Sequence, residues 1–190
     1  MEGLMKNQHN ELLCLVAEGD ESAFEKLYHI YYDRLFRFAI HMVKNEACCE
    51  EIVSDVLLNI WQIRVKLPSI ADMDAYLFKS VKNKSLNYID KKNRRIRCEE
   101  LSVTIEYISD DSNPENIMIA NELSKIVSDA IESLPEKCRI IFKLSREDGF
   151  SHKKISEILG ISVKTIDAQL RIAKQKIEEA IKKYDSFYSF

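Results

Sequence analysis

Along most of this chain, apolar residues recur at spacings of three and four, the period that gives a helix one buried face. The clearest stretch follows Asp20, where Phe24, Leu27, Tyr31, Leu35, Phe38 and Met42 share one side. Asp20 is placed to cap this helix, and Asn45 to end it in a left-handed conformation. Ahead of it, residues 11–18 form a short apolar-faced helix that stops near Gly19. The third stretch, 46–65, is richer in apolar residues than one buried face requires. Ile52, Val56, Asn59, Ile60 and Ile63 make one stripe; Val53, Leu57 and Trp61 make another, roughly 100–180° away on a 3.6-residue turn. A helix apolar on two sides is either central in its domain or docks onto a partner. Pro68 closes the segment.

A fourth helix begins after Asp72 or Asp74 and carries a thinner stripe of Tyr76 or Leu77, Ser80 or Val81, then Ser85, Tyr88 and Ile89. Residues 99–113 lose the helical period and read as a linker. Asn113-Pro114 is a strong helix start, with Asn as cap and Pro in the first turn. Helices are then expected over about 114–133, 136–147, 151–159 and 163–183, broken at Pro135, Gly149 and Gly160. With 4 Gly and 3 Pro in 190 residues, long helices joined by few turns are expected. The fold class is all-α, with two small helical domains, 1–97 and 114–190, joined by a flexible acidic linker at 98–113.

Net charge is −3, which at first speaks against a polyanionic partner. The distribution changes that picture. Between Asp74 and Arg97 lie Lys79, Lys82, Lys84, Lys91, Lys92, Arg94, Arg95 and Arg97 against two acids, Asp74 and Asp90. From Cys98 to Glu122 there is no base, and from Ser151 to Lys183 bases again outnumber acids. Two basic blocks flanking an acidic connector suggest two polyanion-facing surfaces.

The sharpest motif is SHKKISEILGISVKTIDAQLRIAKQKI. Two helices meet at Leu159-Gly160-Ile161, with Ser162 placed to cap the second. Glycine permits the positive φ that sets such helices at a steep angle, the arrangement in which the second enters a DNA major groove. Ile166, Leu170, Ala173 and Ile177 cluster on one side at 100° per residue and are expected to be buried. Opposite them fall Lys164, Ala168, Arg171 and Gln175, with Asp167 and Lys174 at one edge. Basic and amide groups around a small Ala suit close approach to base edges and phosphates. Ser162, Val163 and Thr165, at the helix start, complete the candidate duplex-reading set. A solvated surface is the plain alternative for such a face, and the capped turn weighs against it.

At this point the chain resembles a known family. The string SLPEKCRIIFKLSREDGFSHKKISEILGISVKTIDAQLRIAKQKI resembles region four of sigma-70-type factors of the extracytoplasmic-function (ECF) group. Upstream, AFEKLYHIYYDRLFRFAIHMVKN, EEIVSDVLLNIWQIR and DAYLFKSVKNKSLNYIDKKNRR resemble region two of the same group. Together they cover about residues 20–97 and 120–180, in order, with no third domain between them. The resemblance implies a transcription initiation factor that binds core RNA polymerase and directs it to promoters. EEIVSDVLLNIWQIR matches the segment that docks on the β′ clamp helices, giving Asp55, Leu58, Asn59, Trp61 and Gln62 as candidate contacts. Trp61 serves equally well as core. The basic helix matches the part that melts and reads the −10 element. A basic track for the strand and amide or aromatic groups for an extruded base suit that task. Lys79, Lys82, Asn83, Lys84, Asn87, Tyr88, Lys91, Lys92, Arg94 and Arg95 supply them. Asn83 matches the family's frequent Asn; Asn87 stands where Asp is common, and Asp90 where a base is common. The C-terminal helix would read the −35 element, with Asp167 there to accept from a cytosine amino group or repel a phosphate. Implied partners are promoter DNA, the polymerase β′ clamp helices and β flap, and an anti-sigma factor. The Lys- and Ile-rich wording resembles Bacteroidetes members paired with membrane-anchored anti-sigma factors.

Two other readings compete. A dimeric helix-turn-helix regulator with an N-terminal sensor would bind a palindrome without polymerase, but needs no basic, Asn-rich fourth helix. A helical adaptor without DNA binding would not need the capped turn or basic face of 151–176. Enzymatic activity is not expected: no Gly-rich phosphate loop occurs, and His9, His29, His41 and His152 read as isolated. No cofactor, metal or small-molecule substrate is expected. The five cysteines are scattered and read as buried or half-buried thiols; Cys48-Cys49 and His41 lack zinc-site spacing. No stretch approaches the roughly 18 apolar residues of a membrane span, so a cytoplasmic location is expected.

Overall fold

A computed structural model describes the backbone over residues 2–99 and 120–188 and side chains over 9–94 and 123–184. Among the described residues every regular element is helical: α1 (Glu2–Ala17), α2 (Glu21–Val43), α3 (Glu46–Gln62), a short 3-10 helix (Arg64–Ser69), α4 (Met73–Glu99), α5 (Ala120–Glu132), α6 (Glu136–Arg146), α7 (His152–Leu159) and α8 (Val163–Tyr188). The chain divides into two compact units, one ending near Lys91 and one built mainly from α5–α8. Cys98 and Glu99, expected in the linker, still belong to α4. The rest of the expected linker and the Asn113-Pro114 helix start lie outside the described residues.

In the N-terminal unit the Ala23 amide donates to the Asp20 carboxylate at 3.0 Å, which starts α2 as expected. Leu27, Tyr31, Leu35 and Phe38 are buried, joined by Ala23, Ala39 and Val43, while Phe24 and Met42 are half-buried at the edges. The end of α2 differs from expectation. Lys44, not Asn45, takes the left-handed conformation, with φ 55°. Asn45 is extended and its side chain accepts from the Cys48 amide at 2.9 Å, capping α3. One residue cannot be both left-handed and extended, and the immediate start of α3 claims Asn45 for the cap.

Helix α3 is central. Ile52, Val56 and Ile60 of one stripe and Val53 and Leu57 of the other are all buried, with Cys49. Asn59 of the first stripe is exposed. The helix ends at Gln62 rather than Val65, and Pro68 sits inside the 3-10 helix that packs against α1. Helix α1 itself reaches back to Glu2, well before residue 11, since no proline interrupts residues 2–10.

Helix α4 contacts both α2 and α3 through its side chains. Asp72 is its cap, accepting from the Ala75 amide at 2.9 Å, while Asp74 turns to Arg34 at 3.3 Å. Met73, Leu77, Phe78, Val81 and Ser85 are buried, and the Phe78 ring lies 5.2 Å from Phe38. Tyr76, Ser80, Tyr88 and Ile89 are only half-buried. Burial, then the Asp74 charge, pushes the Tyr31 phenol well above its ordinary range.

In the C-terminal unit α8 packs on α5 and α6. Leu134, Cys138 and Ala173 form a buried cluster with Phe142 against it. The Cys138 thiol donates to the Gln169 carbonyl at 3.2 Å. Glu132 at the end of α5 pairs with Arg139 at 3.2 Å and Lys143 at 2.7 Å, tying α5 to α6. Helix α8 runs on to Tyr188, past the expected end at 183. Of the thiols, Cys14 is exposed, contrary to expectation, and Cys98 lies outside the described side chains.

Candidate nucleic-acid interface

The turn between α7 and α8 is held by its own polar groups. The Ser151 hydroxyl accepts from the Lys154 amide at 3.2 Å and starts α7. Gly160 has φ 72°, a conformation that carries a penalty for any side chain with a Cβ. The Ser156 hydroxyl donates to the Ile161 carbonyl at 2.6 Å, closing the turn from inside. The Ser162 hydroxyl accepts from the Thr165 amide at 3.1 Å and starts α8. Four residues thus fix where α8 begins and so which side chains face outward.

On α8, Ile166 and Ala173 are fully buried, while Leu170 and Ile177 are half-buried. Ser162, Val163, Lys164, Thr165, Asp167, Arg171, Lys174 and Gln175 are exposed, and Ala168 is half-buried. Several outward groups already have partners. The Thr165 hydroxyl is 2.8 Å from the Ser162 hydroxyl, within the cap. Gln175 donates to Glu179 at 2.9 Å, and Lys174 lies 3.6 Å from Glu178. Arg171 and Lys174 line a cleft of about 500 Å³ among α6, α7 and α8, together with Phe142, His152, Leu170 and Ile177.

His152 is not isolated. Its Nδ1 lies 2.7 Å from the Asp167 carboxylate, across the motif from α7 to α8. His9 is likewise 3.3 Å from the Tyr31 hydroxyl, and His29 is 3.9 Å from Glu25. Sequence reading missed the His152 contact because the two residues sit on different helices. The signal lay in the motif itself, whose short turn folds the first residue of α7 back toward the second turn of α8.

On α4 the groups divide around the helix. Lys79, Asn83, Asn87, Lys91, Lys92 and Arg94 are exposed, and Lys82 is half-buried. Lys84 and Tyr88 lie toward the neighbouring helix: the Lys84 ammonium is 2.7 Å from Asp55, and the Cys48 thiol donates to the Tyr88 hydroxyl at 3.0 Å. The Arg95 side chain lies outside the described residues. On α3, Asp55, Leu58, Asn59 and Gln62 occupy i, i+3, i+4 and i+7, a single exposed face. Leu58 stands out there as a large apolar side chain that is 57% exposed. Trp61 falls to one side, half-buried, its ring 5.0 Å from Phe24 and under the Arg64 guanidinium at 4.8 Å.

Two family models match the chain in order. Residues 27–95 match sigma-70 region 2, spanning α2 to α4, and residues 124–177 match sigma-70 region 4, spanning α5 to most of α8. The chain belongs to the sigma-70 family, in its ECF group. This sigma factor is 25% identical over 173 residues to the ECF RNA polymerase sigma-E factor of Escherichia coli K12, covering 87% of this chain and 90% of that protein. It is 23% identical over 174 residues to the ECF RNA polymerase sigma factor SigW of Bacillus subtilis 168, covering 88% and 93%. Among solved structures, RpoE in complex with the anti-sigma factor NepR from Bartonella quintana aligns with a TM-score of 0.62 at 21% identity, over 84% of this chain and 96% of that one. CnrH in complex with the cytosolic domain of CnrY aligns with a TM-score of 0.58 at 18% identity, over 92% and 97%. Among the described residues no helix is long and apolar enough to cross a membrane.

Proposed function

We propose that this sigma factor works as a transcription initiation factor by a division of labour among three faces. The exposed face of α3, with Leu58 among Asp55, Asn59 and Gln62, docks on core RNA polymerase. An exposed Leu ringed by polar groups is what a docking surface offers in the free state. Trp61, half-buried to one side, supports that face. The exposed side of α4, Lys79, Lys82, Asn83, Asn87, Lys91, Lys92 and Arg94, takes the −10 strand. Its ammonium and guanidinium groups follow phosphates, and its two amides are free for an unstacked base. Lys84 and Tyr88, turned toward α3, frame that track. The outward face of α8 enters the −35 duplex, with Lys164 and Arg171 as its strongest cations.

The observation that carries this reading is the joint occurrence of regions 2 and 4, in order, with cations exposed on α4 and on a capped helix-turn-helix. Domains of 1–97 and 114–190 are proposed around the two matched regions, 27–95 and 124–177. Phosphodiester chemistry rests with the polymerase, and this chain contributes binding alone, in the cytoplasm where polymerase and DNA are. The solved RpoE carries an anti-sigma factor and the solved CnrH the cytosolic domain of CnrY, and an anti-sigma partner is proposed here too, masking the same faces.

Run-off transcription with bacterial core polymerase tests the function. Promoter-dependent transcripts are expected only when this protein is added. No transcript, together with tight binding of a palindromic duplex by the protein alone, would instead identify a dimeric regulator.

A further inference from the structure

Asp167 is an anion in a cationic setting. It lies in the second turn of α8, where residues of a recognition helix meet base edges, three residues after Lys164 and four before Arg171. An aspartate four residues before an arginine ordinarily pairs with it along the helix. Here the carboxylate crosses to α7 instead, and its Oδ1 lies 2.7 Å from Nδ1 of His152. Both side chains remain about half exposed, at 51% and 46%. The two ends of this contact are fixed independently. The Ser151 cap sets His152 as the first residue of α7, and the Ser162 cap sets the angular position of Asp167.

An ionised carboxylate only accepts hydrogen bonds. In the major groove the base-edge donors are the amino groups of cytosine and adenine. Beside the adenine amino group sits N7, an acceptor whose lone pair repels a carboxylate; beside the cytosine amino group there is only a C–H. A fixed carboxylate on a recognition helix therefore selects cytosine. Fixing it matters, because a freely rotating Asp167 has Arg171 and Lys164 within reach as alternative partners. With Oδ1 held by His152, Oδ2 is left as the acceptor. Nδ1 carries a proton in both the imidazolium and one neutral tautomer, so the contact does not depend on His152 being charged.

We propose that His152, outside the recognition helix, is a specificity-determining positioning residue: it holds Asp167 so that the free carboxylate oxygen reads a cytosine amino group in the upstream promoter duplex. This rests on the reading of α8 as the duplex-binding helix.

The test uses the full chain assembled with core polymerase, selecting from promoter duplexes randomised across the upstream element. Asp167→Ala is expected to lower the preference for cytosine at one position by roughly ten-fold, the scale of one base-edge contact. His152→Ala loses most of the same preference at the same position. His152→Asn, whose amide nitrogen stands close to where Nδ1 stood, retains it. In an Asp167→Ala background, His152→Ala has no further effect. The proposal is overturned if His152→Ala keeps the wild-type preference, if His152→Asn fares no better than Ala, or if the two substitutions act additively. Arg171→Ala separates this from the parent reading. If it weakens duplex binding while Asp167→Ala leaves base preference unchanged, the proposal falls and the α8 interface stands. If Arg171→Ala also leaves duplex binding unchanged, the interface itself falls.

Discussion

Tyr31 shows how a single side chain ties the N-terminal unit to its solvent. Its ring fills the core face of α2, while its hydroxyl meets His9 of α1 at 3.3 Å. Burial first, and the Asp74 carboxylate second, hold the phenol in its neutral form to unusually high pH. In the unfolded chain the phenol ionises near its ordinary value of about 10. Above that pH the unfolded state has lost a proton that the folded state keeps, so stability falls as pH rises. The expected slope is about 1.4 kcal/mol per pH unit for this group. Tyr31→Phe should flatten that alkaline loss, measured by urea unfolding between pH 9 and roughly 11. A slope equal to wild type would place the sensitivity elsewhere. The three-and-four spacing marks Tyr31 as core without ambiguity. Its polar partners were not legible, because His9 and Asp74 reach it from other helices, and periodicity within one helix is silent about its neighbours. The same blindness hid the His152–Asp167 contact.

Among the elements, the turn before α8 carries the most information per residue. Gly160 at φ 72° and the Ser162 cap act on the same few ångströms of backbone. Gly160→Ala should destabilise the C-terminal unit by about 1–2 kcal/mol, the penalty for a side chain in the left-handed region. Gly160→Asn should lose less, since Asn tolerates that region better. Thermal unfolding of the variants checks the order; equal losses would show that tolerance of the left-handed conformation does not govern the position. These features were legible because each is local: a glycine, a serine and the apolar period after them. Element ends were less so. The expected left-handed stop at Asn45 moved to Lys44 because the next helix needed a cap, a competition visible only once both helices are in place. Helix α3 posed a choice between core and docking surface. The structure buries Ile52, Val56 and Ile60 of one stripe and Val53 and Leu57 of the other, leaves Asn59 exposed and Trp61 half-buried, and puts Leu58, which belonged to neither stripe, on the exposed face.

For the molecule as a whole, regions 2 and 4 carry separable tasks. Arg171→Ala should weaken duplex binding and flatten its dependence on salt, since fewer counterions are released on binding. It should leave affinity for core polymerase unchanged. Leu58→Asp should do the reverse, lowering core affinity by roughly ten-fold or more while sparing duplex binding by the C-terminal unit. Titrations against core polymerase and against upstream duplex at several salt concentrations read both; a variant that lowers both affinities would refute separability. A net charge of −3 is no obstacle to this arrangement. Among the described side chains, most bases of α4 and all those of α8 are exposed, and average charge is blind to where they lie.

The contact between Lys84 and Asp55 joins the helix proposed for the strand to the helix proposed for polymerase. Both side chains are substantially exposed, at 42% and 53%, and ion pairs in such a setting contribute about 0–1 kcal/mol. That sets a ceiling on what this pair can transmit. Linkage is reciprocal, so any help that polymerase gives strand binding through this pair equals the help that strand gives polymerase. At about 1 kcal/mol the ceiling is roughly five-fold. A larger interdependence between the two ligands would have to come by another route: the Cys48–Tyr88 bond, which also joins the two helices, or polymerase itself, as the shared platform on which strand and factor meet.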